Sequence, residues 1–85
     1  MAKTWATTGL DLHLDLAGPR VRAALEAALR ESVRNGRMLP GARLPSSRAL
    51  ALDLGIARNT VAEAYGQLVA EGWLGTRPGA GTWVA

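Results

Sequence analysis

The sequence predicts a mainly α-helical domain, three helices followed by a small β-hairpin, with a short extended arm in front. Three observations predict it. Residues 21–33 and 61–69 each place apolar side chains at the three-and-four spacing of one helical stripe. A shorter helical stretch, 48–54, precedes the second of these, with only Gly55, Ile56 and Ala57 before Arg58. The end of the chain, WLGTRPGAGTWVA, sets β-favouring residues on either side of a Pro/Gly-rich turn. Eighty-five residues suffice for one modest core, and the sequence contains no cysteine, so neither disulfides nor a thiolate zinc site stabilises it.

The arm comes first, at 1–17. Leu10, Leu12, Leu14 and Leu16 alternate with Asp11, His13 and Asp15, the period of two that marks an extended chain. An Asp-x-His-x-Asp face has a metal-site reading, but a solvated strand face is the ordinary explanation, since no further ligands cluster in sequence. Four leucines in so small a protein also suggest an edge that pairs with a second copy or packs against another domain. The N-terminus lacks the apolar run of a signal peptide and no later segment has the length of a membrane span, so the reading is a soluble, cytoplasmic protein.

The main domain is predicted over 18–85. Gly18 and Pro19 open the first helix and Gly36 stands where it ends, with Val21, Ala24, Leu25, Ala28, Leu29 and Val33 as its buried stripe. Arg22, Glu26, Arg30 and Arg34 recur every four residues on the other face, as solvated side chains with weak ion pairs. GRMLPGARLP at 36–45 is a turn-rich connector with a short extended piece at Ala42–Leu44. Ser46 or Ser47 then caps the second helix, and Gly55 supplies its left-handed stop.

The third helix, 58–72, is the element around which the rest is arranged. Val61, Ala64, Tyr65, Leu68 and Val69 form its apolar stripe, while its first turn presents Arg58, Asn59 and Thr60. Two helices joined by so short a link form a helix-turn-helix, and a hairpin immediately after the second is a wing.

Charge agrees with this arrangement. Net charge is +3, and acids and bases cancel over residues 1–33; from Arg34 onward six arginines face three acids. Arginine is the side chain shaped for phosphate and guanine. A fold of this order suits laying a short helix in the major groove of double-stranded DNA while the wing meets the adjacent backbone. The candidate contacts are Ser46, Ser47 and Arg48 as a phosphate clamp at a helix N-terminus, and Arg58, Asn59 and Thr60 as base readers. Arg77, Gly79 and Gly81 on the wing complete them, with Tyr65 mainly in the core and its hydroxyl emerging toward a phosphate. Each has a plainer reading: Ser46 as a helix cap, Arg58 as a surface partner of Asp53, Gly79 and Gly81 as turn formers. Trp73 and Trp83 are expected to pack under the wing. One histidine and no paired carboxylates leave an enzyme little to work with.

Leu44-Pro45-Ser46-Ser47-Arg48, Leu50-Ala51, Leu54-Gly55, Arg58-Asn59-Thr60-Val61, Ala64-Tyr65, Leu68, Glu71-Gly72 and Gly79-x-Gly81-Thr82 together resemble the winged helix-turn-helix of the GntR transcription regulators. The PSSR, RNTV and AEG-W-L forms are most similar to the MocR branch, where this domain precedes an aminotransferase-like domain that binds pyridoxal phosphate. The resemblance spans about 18–85 and implies that Ser47 and Arg48 hold phosphate, that Arg58, Asn59 and Thr60 enter the major groove, and that the Gly79–Gly81 tip follows the backbone or minor groove. It also implies a homodimer on a symmetric or repeated site. No residue of this chain matches a pyridoxal phosphate ligand, because the cofactor domain of that branch has no counterpart in these 85 residues. A second departure is Ala57, where the family usually has a serine. The alternatives left open are a winged-helix protein-interaction module and the detached DNA-binding part of a pyridoxal-phosphate-sensing regulator.

Overall fold

The structure, a computed structural model, describes residues 20–85. Helix α1 is Val21–Arg34, α2 is Ser47–Leu54 and α3 is Arg58–Glu71; strands β1, Leu74–Arg77, and β2, Gly81–Val84, complete the order. Three helices and an antiparallel hairpin are what the sequence predicts. The Leu10–Leu16 arm, its metal and self-pairing readings, and the Gly18-Pro19 helix opening lie outside the described residues. α1 begins at Val21 with Arg20 in the cap position and no side-chain cap bond.

The helical stripes meet in one core. Leu25 and Leu29 of α1, Leu50 of α2, and Val61 and Leu68 of α3 are fully buried together with Val84 from the hairpin. Burial of each such side chain contributes roughly 1.5–3 kcal/mol, which holds the bundle without covalent staples. α3 is central, packing against α1, α2 and β1. Gly55, at φ 70°, ends α2 in the left-handed region and turns the chain directly into α3.

The connector adds an edge to the hairpin. Gly41 N–H donates to the Val84 carbonyl at 2.8 Å, Val84 N–H to the Ala42 carbonyl at 2.8 Å, and Leu44 N–H to the Thr82 carbonyl at 2.9 Å. Arg43 thereby pairs antiparallel with Trp83. The extended piece expected at Ala42–Leu44 is present, bonded to β2.

The hairpin register sets Leu74 opposite Val84, Gly75 opposite Trp83, Thr76 opposite Thr82 and Arg77 opposite Gly81. Side chains alternate across a strand, so Leu74 and Val84 face the core while Trp83 lies on the opposite face. Trp73 packs against the core as expected. Trp83 does not: its indole lies over Gly75, where an added Cβ would stand 2.8 Å from the indole nitrogen. Register parity puts Trp83 on the face away from the core, whereas Trp73 precedes β1 and is not bound by that alternation.

Candidate nucleic-acid interface

The first component is the start of α2. Ser46 is extended, at φ −61° and ψ 157°, and its Oγ accepts the Ala49 N–H at 3.0 Å. Its hydroxyl therefore acts as the helix cap. The N–H groups of the first turn that the cap does not reach, together with the exposed Arg48 side chain, leave an end suited to an anion. Ser47 is half-buried beside it.

The second component is the start of α3. Arg58 and Asn59 are exposed and Thr60 half-buried. The helix is anchored beneath by Tyr65, only 6% exposed, whose hydroxyl donates to the Pro45 carbonyl at 2.8 Å. Burial pushes the Tyr65 phenol well above its ordinary range. The hydroxyl expected to emerge toward a phosphate is thus engaged by the residue preceding the Ser46-Ser47-Arg48 turn, and Tyr65 ties α3 to that turn.

The third component is the wing tip, where Gly79 and Gly81 have φ of 77° and 90°. Glycine is needed at both to form the turn, whatever else the tip touches. Ala80 N–H closes the turn onto the Arg77 carbonyl at 3.0 Å. Arg77 itself points away from the core-side face, its guanidinium carbon 5.9 Å from the centre of the Trp83 ring.

A groove of about 680 Å³ runs between these components, bordered by Ser46, Ser47, Tyr65, Gly66, Gly79 and Gly81. Ala62 and Gly66 line its α3 wall. Arg58 and Asn59 lie one helical turn before Ala62, so they extend that wall toward the helix N-terminus. The fold therefore brings Ser46, Ser47, the middle of α3 and the Gly79–Gly81 tip to one groove, while Arg48, Arg58, Asn59 and Thr60 are not among its lining residues and Arg77 is on the outer face of the wing. Sequence reasoning missed Arg43, which also lines this groove and whose guanidinium donates to the Ala80 carbonyl in the wing turn. Its signal was a cation immediately before Leu44-Pro45 in a segment already expected to be extended.

Charge is sorted across the domain. Glu26 is bridged by Arg22 and Arg30, Glu31 by Arg34, Glu63 by Arg22 and Glu71 by Arg30. The arginines of α1 take up these carboxylates. Among the described residues, none of these four carboxylates pairs with Arg43, Arg48, Arg58 or Arg77, which belong to the connector, the two helix starts and the wing. No three His, Cys, Asp or Glu side chains among the described residues come together as metal ligands, and no described helix is long and apolar enough to cross a membrane.

Residues 21–84 match the family model described as bacterial regulatory proteins, gntR family. The chain is 49% identical over 57 residues to the probable rhizopine catabolism regulatory protein MocR of Rhizobium meliloti, covering 67% of this chain and 12% of that one. It is 47% identical over 58 residues to the pyridoxine biosynthesis transcriptional regulator PdxR of Corynebacterium glutamicum, covering 68% and 13%. Among solved structures it is similar to the DNA-binding domain of AraR in complex with operator ORX1, with TM-score 0.72 and 29% identity over 85% of this chain and 86% of that one. The chain thus spans about an eighth of the length of the two curated relatives. With the observed fold and the family model in agreement, the chain belongs to the gntR family of bacterial regulatory proteins.

Proposed function

We propose that this domain binds double-stranded DNA sequence-specifically as the reading head of a cytoplasmic transcription regulator. The first turn of α3 enters the major groove, and the sugar–phosphate backbone is held by the Ser46-Ser47-Arg48 turn and the Gly79–Gly81 wing tip. The observation that carries this reading is the convergence of the start of α2, the middle of α3 and the wing tip on one groove, with Glu26, Glu31, Glu63 and Glu71 paired to α1 arginines and not to Arg48, Arg58 or Arg77. Arg58 pairs two acceptors of guanine and Asn59 two positions of adenine. Thr60, half-buried, supports them from the helix side. A single helix reads only a few base pairs, so two copies on a symmetric or repeated site supply useful specificity. We assign the chain no catalytic role. Pyridoxal phosphate belongs to the reading only through a further domain of the kind found in the MocR branch.

Selection from a random duplex library tests this. The expected outcome is an enriched motif, with Arg58→Ala weakening binding by about 1–3 kcal/mol and relaxing preference at one position. A library that enriches nothing would defeat sequence-specific binding. A protein-interaction module is the second reading, and its specific support is the exposure of Leu39 and Leu52, at 66% and 76%; it predicts no duplex binding at any salt concentration.

A further inference from the structure

Arg43 sits between two parts of the interface and belongs to neither. Its backbone is fixed by pairing with Trp83, flanked by the Leu44-to-Thr82 and Val84-to-Ala42 hydrogen bonds. Three residues further on is Ser46, the cap of α2. Its side chain runs the other way, donating to the Ala80 carbonyl. The guanidinium also lies against Gly81, with Nη2, Cζ and Nε 3.7–3.8 Å from where a Cβ would stand. Within the hairpin, Thr76 Oγ1 donates to the Gly81 carbonyl at 3.2 Å. Among the described residues, Arg43 supplies the side-chain hydrogen bond that reaches the wing turn from outside the hairpin.

We propose that Arg43 is a positioning residue for DNA binding: it latches the wing tip at a fixed distance from the Ser46-Ser47-Arg48 turn and so sets the width of the groove that receives the backbone. The inference rests on the DNA reading above. A turn built on two glycines with positive φ has little stiffness of its own, and ordering it only on binding would cost affinity. A latch from the connector establishes that order in the free protein. The donor acts on a wing carbonyl, so the residue works through the wing and not as a counter-charge to phosphate.

The test uses the whole 85-residue chain and its Arg43→Met variant, which keeps side-chain length while removing donors and charge. Arg43 is exposed, so the variant folds. Amide hydrogen exchange in the free protein should show faster exchange at Ala80 in the variant, with the helices unchanged. Affinity for the selected duplex should fall about three- to tenfold, the scale of ordering one interface side chain, while the slope of log affinity against log salt stays the same. Unchanged Ala80 exchange overturns the latch. A slope smaller by about one with unchanged exchange makes Arg43 a direct phosphate ligand, which also overturns it. A wild-type chain that binds no duplex removes the DNA reading and this inference together, a result distinct from either of the other two.

Discussion

Ala57 and Ser46 occupy the same structural position with opposite outcomes. Both are extended helix caps, at φ −68° and ψ 140° for Ala57 and φ −61° and ψ 157° for Ser46. Only Ser46 has a side chain that accepts a first-turn N–H. Ala57→Ser should therefore supply α3 with the bond α2 already has, raising stability by about 1 kcal/mol, as measured by urea denaturation at neutral pH. An unchanged midpoint would mean that α3 is already fixed at its start by packing alone. This departure was legible in the sequence because capping is a local rule. The Tyr65 hydroxyl was not, since its acceptor, Pro45, lies 20 positions away. Helical spacing placed the Tyr65 ring correctly in the core and carried no information about the far end of the side chain. Gly75 is similar: nothing near it in the sequence says that an indole will lie across it.

At the level of elements, the three helices were legible because each writes its stripe and its stop into consecutive residues. Contacts between elements were less so. The arginines of α1 were expected to pair within their own helix, and Arg22 with Glu26 does so at 3.3 Å. Arg30 pairs with Glu26 at 3.4 Å and also reaches across to Glu71 at the end of α3, with Nε 2.6 Å from Oε1 and Nη2 2.8 Å from Oε2. Gln67 and Trp73 donate to the same carboxylate at 2.8 and 3.0 Å. The Arg30 hydrogen bonds, followed by that of Gln67, hold the Glu71 carboxyl down to about 2. A carboxylate whose folded value lies below its unfolded one stabilises the fold above the ordinary range near 4.5, and that contribution disappears as pH falls through about 2. Urea midpoints recorded between pH 6 and pH 2 should fall through this window. Arg30→Met should flatten this part of the profile, and an equally steep decline in the variant would assign acid sensitivity to other carboxylates.

For the whole molecule, the sequence showed an arginine excess after residue 33, whereas the structure shows how it is distributed: the carboxylates of Glu26, Glu31, Glu63 and Glu71 are occupied by α1 arginines. Neutralising two to four phosphates per bound domain predicts a slope of about −2 to −4 for log affinity against log salt, measurable by fluorescence anisotropy on a labelled duplex. A flat dependence would remove nucleic acid from consideration. The groove itself was not legible, because its walls come from residues 43–47, α3 and the hairpin, and only tertiary packing brings them together. The pairing of the connector with β2 also governs when that groove comes into being during synthesis. Gly41 and Leu44 are translated some forty residues before their partners Val84 and Thr82. Sequence-distant pairings form late, so the helices have the opportunity to associate on the ribosome while the edge beside Ser46 is still unpaired. A nascent chain halted before Thr82 would carry both helix starts but no framed groove, and the groove would be framed only once β2 has emerged.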